Sequence, residues 1–108
     1  MGETHIVAAK LVSIGRNCAV SWNTQIMDTD FHHILLNGEC VNDNADVVIG
    51  DHVWVGSHSL VLKGTVIPEG VVVAAGSVIN HKDNVIQPRT IITGLPNKVL
   101  KENIDWKM

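Results

Sequence analysis

The sequence predicts an all-β fold, a chain wound into a three-sided coil of short parallel strands. Three observations predict it. Aliphatic residues recur at a spacing of six, at Ile49, Val55, Val61, Ile67, Val73 and Ile79, and Val85 and Ile91 continue the count; self-similarity at a short fixed period marks a stacked repeat. Compact residues stand four places after the first five of these, at Val53, Ser59, Thr65, Val71 and Ser77. The apolar content is β-branched, with sixteen Val and eleven Ile against seven Leu, three Trp, one Phe and no Tyr. Such side chains suit a pleated, half-buried surface, and so few rings argue against a sandwich or barrel core. An ordinary β domain with coincident Val and Ile is the alternative, but its strands alternate with period two and do not hold six aliphatic positions at spacing six.

Met1 to Lys10 lacks the basic start and greasy run of a signal peptide. No apolar stretch approaches the roughly 20 residues that cross a bilayer, so a cytoplasmic protein without a membrane span is expected. The repeat frame first appears at Ile14, Val20 and Ile26, with Cys18 and Thr24 at the fourth following places. Between Phe31 and Ile49 it fails. Residues 32–48 form a polar insertion with Asn37, Gly38, Asn42, Asp43, Asn44 and Asp46, which predicts an extruded loop. Loops longer than about 12 residues in compact domains are often functional, so chemistry is sought here first.

From Ile49 the frame resumes. One hexad supplies a short strand and a corner, and three hexads a coil of about 18 residues. Ile49 would then lie beneath Ile67 and Val85, and Val55 beneath Val73 and Ile91, with coils about 4.8 Å apart. The fourth place is small because a prism corner encloses little volume. After Ile79 the fourth places become Asp83 and Arg89, and Gly94-Leu95-Pro96 closes the prism. Val99 to Met108 reads as a short C-terminal helical cap, or an extended one, covering strand edges that would otherwise stand unpaired.

At 108 residues, the chain makes one domain, residues 1–108. Eight Lys plus Arg against eleven Asp plus Glu exclude a protein that wraps nucleic acid by neutralising phosphates. Two cysteines, Cys18 and Cys40, are too few for a disulfide scaffold.

The run Ile49-Gly50-Asp51-His52-Val53-Trp54-Val55-Gly56-Ser57-His58, with Val73-Ala74-Ala75-Gly76-Ser77-Val78-Ile79 and Gly94-Leu95-Pro96-Asn97-Lys98-Val99-Leu100-Lys101, resembles the hexapeptide-repeat acyltransferases. Through Ser21-Trp22-Asn23 leading into Asp28-Thr29-Asp30-Phe31-His32, the chain is most similar to the galactoside, maltose, nodulation-factor and polysaccharide O-acetyltransferases. The resemblance implies a left-handed parallel β-helix, a homotrimer, and transfer of acetyl from acetyl-CoA to a hydroxyl or amine in clefts between subunits. A saccharide hydroxyl is the expected acceptor. A non-catalytic β-helical module and an amino-sugar or antibiotic N-acetyltransferase are the competing readings.

The same resemblance makes His32 the general base. An imidazole with a pKa near 6.5 can take the proton of a hydroxyl as it attacks a thioester. His33 is the neighbouring competitor, and Asp28 or Asp30 could orient the ring. Asn23, Asp30 and Trp54 are expected toward the acceptor, with Trp54 at a corner. Ser57, Ala75, Asn80 and His81 are expected along the CoA arm, with Lys98 and Lys101 at its phosphates. Relatives of this kind add acceptor groups from a preceding segment, and Gly2 stands where an acceptor-binding asparagine would be expected. No metal is required. His52 and His58, six apart, would stand on successive faces and not converge on an ion, whereas a catalytic metal wants three convergent protein ligands. Nothing around Cys40 suggests an acyl-carrying thiolate.

Overall fold

The computed structural model describes residues 3–80, 85–94 and 97–108. The first winding holds β1 (His5–Val7), β2 (Val12–Ile14), β3 (Ala19–Val20) and β4 (Gln25–Met27). A hairpin, β5 (Leu35–Leu36) and β6 (Glu39–Cys40), follows. The winding resumes with β7 (Val47–Ile49), β8 (Trp54–Val55), β9 (Leu60–Val61), β10 (Val66–Ile67), β11 (Val72–Val73) and β12 (Val78–Ile79), then β13 (Ile91–Thr93) and β14 (Lys98–Lys101).

Parallel pairing sorts these strands into three faces. Face I is β1-β4-β9-β12, face II is β2-β7-β10, and face III is β3-β8-β11-β13. Each winding passes from face II to III to I, so the corners fall into columns II/III, III/I and I/II. Ile49 pairs with Ile67, Val55 with Val73 and Val61 with Ile79, which is the expected offset of 18. Ile14 pairs with Ile49, and the offset of 35 is one winding plus the 17-residue insertion. The aliphatic position of every hexad from Val20 to Ile79 is buried in one continuous core.

The corners show why the repeat has its length. Three places after the aliphatic position the backbone turns with positive φ at eight described corners, Asn17 (58°), Asn23 (57°), His52 (54°), His58 (58°), Gly64 (79°), Gly70 (70°), Gly76 (74°) and Arg89 (54°). Asn and Gly tolerate that region best. The next residue points inward and is small, and its polar group donates across coils: Cys18 Sγ to the Gly50 carbonyl (3.2 Å), Thr24 Oγ1 to Gly56 (3.2 Å), Ser59 Oγ to Ala74 (3.2 Å) and Thr65 Oγ1 to Ile79 (3.3 Å). A buried hydroxyl is thus satisfied where the prism narrows.

Four expectations are corrected. After Ile79 the frame slips by one residue: Ile92, not Ile91, pairs with Val73 and is buried, Ile86 packs on the core while Val85 is 84% exposed, and Thr90 takes the buried fourth place expected of Arg89. The slip arises between Ile79 and Ile86. The insertion ends before residue 48, because β7 begins at the fully buried Val47, and it is a hairpin whose turn, Asn37 (φ 52°) and Gly38 (φ 82°), has both central residues left-handed. The first winding is two residues longer than the expected 18, since Ile26 pairs with Ile6.

The fourth concerns the C-terminal cap, which is a strand and not a helix. β14 pairs antiparallel with β13, supplying partners to an edge that a helix would leave open. The tail then returns over the II/III corner, where Ile104 N–H donates to the Arg89 carbonyl (3.0 Å). There Trp106 stacks on His52 at 4.0 Å and donates its indole N–H to the His52 carbonyl (2.8 Å). The closing turn's Leu95-Pro96 lies outside the described residues.

Gly56 shows how close the coils approach. A Cβ there would stand 2.6 Å from the Ala75 nitrogen and 2.7 Å from the Val73 carbonyl oxygen, both backbone atoms of the next coil. We expect Gly56→Ala to destabilise the protein by about 1–3 kcal/mol, the usual cost of overpacking a tight core, measured as a lowered urea midpoint.

Candidate active site

The hairpin leaves the prism at the I/II corner, after β4, and returns into β7. Its neck is closed first by backbone, with Ala45 N–H donating to the Asp28 carbonyl (3.1 Å) and Gly64 N–H to Asp46 (3.0 Å). Asp28 is fully buried, and its two carboxylate oxygens accept the Ala9 (2.8 Å) and Lys10 (2.7 Å) amides. These amides belong to the two-residue excess of the first winding. Burial pushes the Asp28 carboxyl upward, but the amides of Ala9, Lys10 and Leu11 outweigh it and hold the group below its ordinary value.

Asp30 stands on the outgoing limb. Its Oδ2 is 2.9 Å from Lys63 Nζ and 3.0 Å from Asn42 Nδ2, and these hydrogen bonds lower its pKa. Asn42, on the returning limb, also donates to the His32 carbonyl (2.9 Å) and accepts from the Ile34 amide (2.6 Å). His32 therefore has its backbone held while its side chain lies exposed at the mouth of the hairpin. His33 meets the returning limb, with Nδ1 3.3 Å from Cys40 Sγ. Neither Asp28 nor Asp30 is turned to the His32 ring in this chain, contrary to expectation, because the Asp28 carboxylate is committed to the Ala9 and Lys10 amides and that of Asp30 to Lys63 and Asn42.

The other expected residues fall into two groups. Asn23, Ser57 and Ala75 form one column on the III/I corner, where the Gly76 amide donates to the Ser57 carbonyl (2.9 Å). Asn80 sits at the I/II corner, beyond the hairpin neck, and its carbonyl accepts from Asn97 Nδ2 (3.3 Å). Its neighbour His81, like Gly2, lies outside the described residues. Lys98 and Lys101 are exposed on β14. An extra residue, Leu100, sets Lys98 opposite Thr93 and Lys101 opposite Ile91, so a bulge brings both lysines to the outer face. Trp54 is on face III and not at a corner; it is 41% exposed, donates Nε1–H to Ser21 Oγ (3.1 Å) and leans on Trp106 at 5.9 Å.

His52 and His58 are the left-handed corner residues of successive corners, and His52 is stacked under Trp106. Among the described residues no group of three His, Cys, Asp or Glu stands ready to hold a metal ion, and no helix is long and apolar enough to cross a membrane. The roles of Lys63 and Asn42 are not legible in the sequence. Asn42 reads there only as a turn former, and the partners of Lys63 lie on another winding.

Residues 46–81 match the family model described as bacterial transferase hexapeptide (six repeats). The chain is 41% identical over 107 residues to the polysialic acid O-acetyltransferase of Neisseria meningitidis, covering 97% of this chain and 49% of that protein. A crystal structure of polysialic acid O-acetyltransferase OatWY superposes with a TM-score of 0.91 at 40% identity, over 100% of this chain and 52% of that one. Galactoside acetyltransferase in complex with coenzyme A superposes with a TM-score of 0.71 at 25% identity, over 97% and 57%. The chain spans about half the length of the curated relatives it matches. The winding is that of the left-handed β-helix acetyltransferases.

Asp28 and Asp30 both titrate below 3.8, the ordinary aspartate value, in the folded chain. As pH falls through that range the unfolded chain binds more protons, so the stability these groups lend is complete above it and lost toward their lowered values. We expect Asp28→Asn to be less stable than the parent at neutral pH and to lose less stability on acidification to about pH 3, read from urea midpoints across that interval.

Proposed function

The chain belongs to the hexapeptide-repeat family of bacterial transferases, and on that premise we propose that it transfers acetyl from acetyl-CoA to a hydroxyl of a saccharide, with His32 as the general base. One observation carries the reading: an exposed imidazole stands at the mouth of a hairpin whose neck is fastened to a rigid prism. The relatives' names support a saccharide acceptor and an acetyl group, and the coenzyme A complex of a structural neighbour supports the donor.

In this reading the neutral ring of His32 accepts the proton of the acceptor hydroxyl as its oxygen attacks the thioester carbonyl. A tetrahedral oxyanion forms, collapses, and expels the thiolate of CoA, which takes the proton back from the imidazolium. No covalent enzyme intermediate is needed. The column Asn23, Ser57 and Ala75 offers short side chains along which a pantetheine arm can lie close to the backbone. Lys98 and Lys101, on one outer face, offer point charges to its phosphates. Asp30 belongs to the neck in this reading and not to the acceptor. The working unit is a homotrimer in the cytoplasm, since a core this narrow gains buried area from association.

The test is release of free CoA thiol from acetyl-CoA in the presence of sialic acid oligomers, galactosides and other saccharides. His32→Ala should lower kcat by about 10²- to 10⁴-fold, the usual worth of a general base, with His33→Ala within a few-fold of the parent. No acceptor-dependent thiol release, or full activity in His32→Ala, would defeat the reading. Light scattering should give three times the chain mass of 11.7 kDa.

A further inference from the structure

We infer that Lys63 is a positioning residue, which fastens the two limbs of the hairpin together and thereby sets where His32 stands. The inference rests on the reading of His32 as the base. Lys63 lies on the I/II corner between β9 and β10, on the winding next to the one that the hairpin interrupts. Its ammonium reaches both limbs at once, donating to Asp30 Oδ2 on the outgoing limb (2.9 Å) and to the Asp43 carbonyl on the returning one (3.0 Å).

Asn42 completes the clamp. Its amide bridges Asp30 Oδ2 (3.0 Å) and the His32 carbonyl (2.9 Å), and its oxygen accepts the Ile34 amide (2.6 Å). Three hydrogen bonds therefore link Lys63 to the main chain of His32, by way of Asp30 and Asn42. The Lys63 side chain is only 16% exposed and that of Asp30 40%. A shielded, hydrogen-bonded ion pair with a branching amide has a fixed geometry, unlike an exposed pair whose long side chains wander.

The alternative to clamping is a hairpin that swings on its neck. It has exposed apolar side chains on both limbs, at Phe31, Ile34, Leu35, Leu36 and Val41, and two short strands of two residues each, too little to hold itself against the prism. Backbone bonds from Ala45 and Gly64 close the base at residues 28 and 46. The Lys63-Asp30-Asn42 set carries the fastening from the prism outward to residues 30–34. A base displaced by an ångström loses its line to the attacking hydroxyl.

The experiment compares Lys63→Met, Lys63→Arg and Asn42→Ala with the parent by acetyl-transfer kinetics and by hydrogen exchange resolved to peptides. Lys63→Met and Asn42→Ala should lower kcat by about 10- to 100-fold, as expected for a misplaced catalytic group, with the KM for acetyl-CoA within about twofold. Lys63→Arg should recover most of that loss. Exchange should quicken over residues 31–41 and stay at the parent's rate over 47–80, which also shows that the prism is folded. Parent-like kcat in Lys63→Met, parent-like exchange over 31–41, or faster exchange spread equally over 47–80 would each overturn the inference. A parent protein that transfers no acetyl defeats the proposed reaction instead, and leaves exchange to decide whether the clamp exists.

Discussion

The structure depends on the corner. A three-sided coil closes only if the chain turns sharply after each strand, and it does so by placing one residue in the left-handed region three positions past the buried aliphatic. The turn throws the next residue inward, where only a small side chain fits, and the strand that follows meets its partner one winding away. Register, core and cross-coil hydrogen bonding all follow. At eight described corners the residue carrying this burden is Asn, Gly, His or Arg, and the fourth place beside it is Val, Cys, Ser or Thr, with Thr24, Ser59, Thr65, Ser77 and Thr90 all buried. Two of the three corners whose left-handed residue is not Asn or Gly gain contacts from the C-terminal tail: His52 lies under Trp106, and the Arg89 carbonyl accepts from the Ile104 amide.

This explains which parts of the fold are legible in the sequence. The aliphatic period can be read because burial repeats with the geometry, and Ile14 to Ile49 can be joined across the insertion because the offset is one winding plus the inserted length. The left-handed position is equally regular, yet in the sequence Asn17, Asn23, His52, His58, Gly64, Gly70 and Gly76 pass as variable, because one backbone angle accepts several residue types. The slip after Ile79 is hidden by chemistry: Val85 and Ile86 are neighbours of the same kind, as are Ile91 and Ile92, so an added residue leaves the hydrophobic pattern almost unchanged. Asn37-Gly38 does announce the hairpin turn, but the polar residues around it present the whole insertion as loop. The cap is misread because Lys98 to Lys101 has no period of its own; an unpaired edge decides that it becomes a strand.

The candidate site divides in the same way. His32 is visible because it belongs to a local motif. The side chains that hold it are not, since each acts across sequence: Lys63 meets Asp30 over 33 positions and Asp43 over 20, and Asn42 meets Asp30 over 12. Carboxylates next to a histidine in sequence invite assignment to it, yet Asp28 and Asp30 are drawn to stronger local demands, unpaired amides for one and a shielded ammonium for the other. Burying an ammonium without a partner is costly, so Asp30 is the residue least able to turn toward the imidazole.

Under the proposed reaction this placement has a consequence for the assembly. His32 belongs to the I/II corner, while Asn23, Ser57 and Ala75 run along the III/I corner, and face I stands between them. Each strand of that face is bonded to the next winding, so no side-chain rotation brings the two columns together. A base and a thioester must nevertheless meet at about 3–3.5 Å from the attacking oxygen. The donor must therefore cross face I, or be held on the III/I corner of a second copy set against the hairpin of the first. Repeated head to tail, the second arrangement generates a ring if the rotation closes, and the homotrimer proposed above would then hold one cleft at each junction. The hairpin favours it. Phe31, Ile34, Leu35, Leu36 and Val41 are between 56% and 63% exposed on a single chain, an apolar projection that water alone would leave uncovered and that a neighbouring prism would bury beside the base.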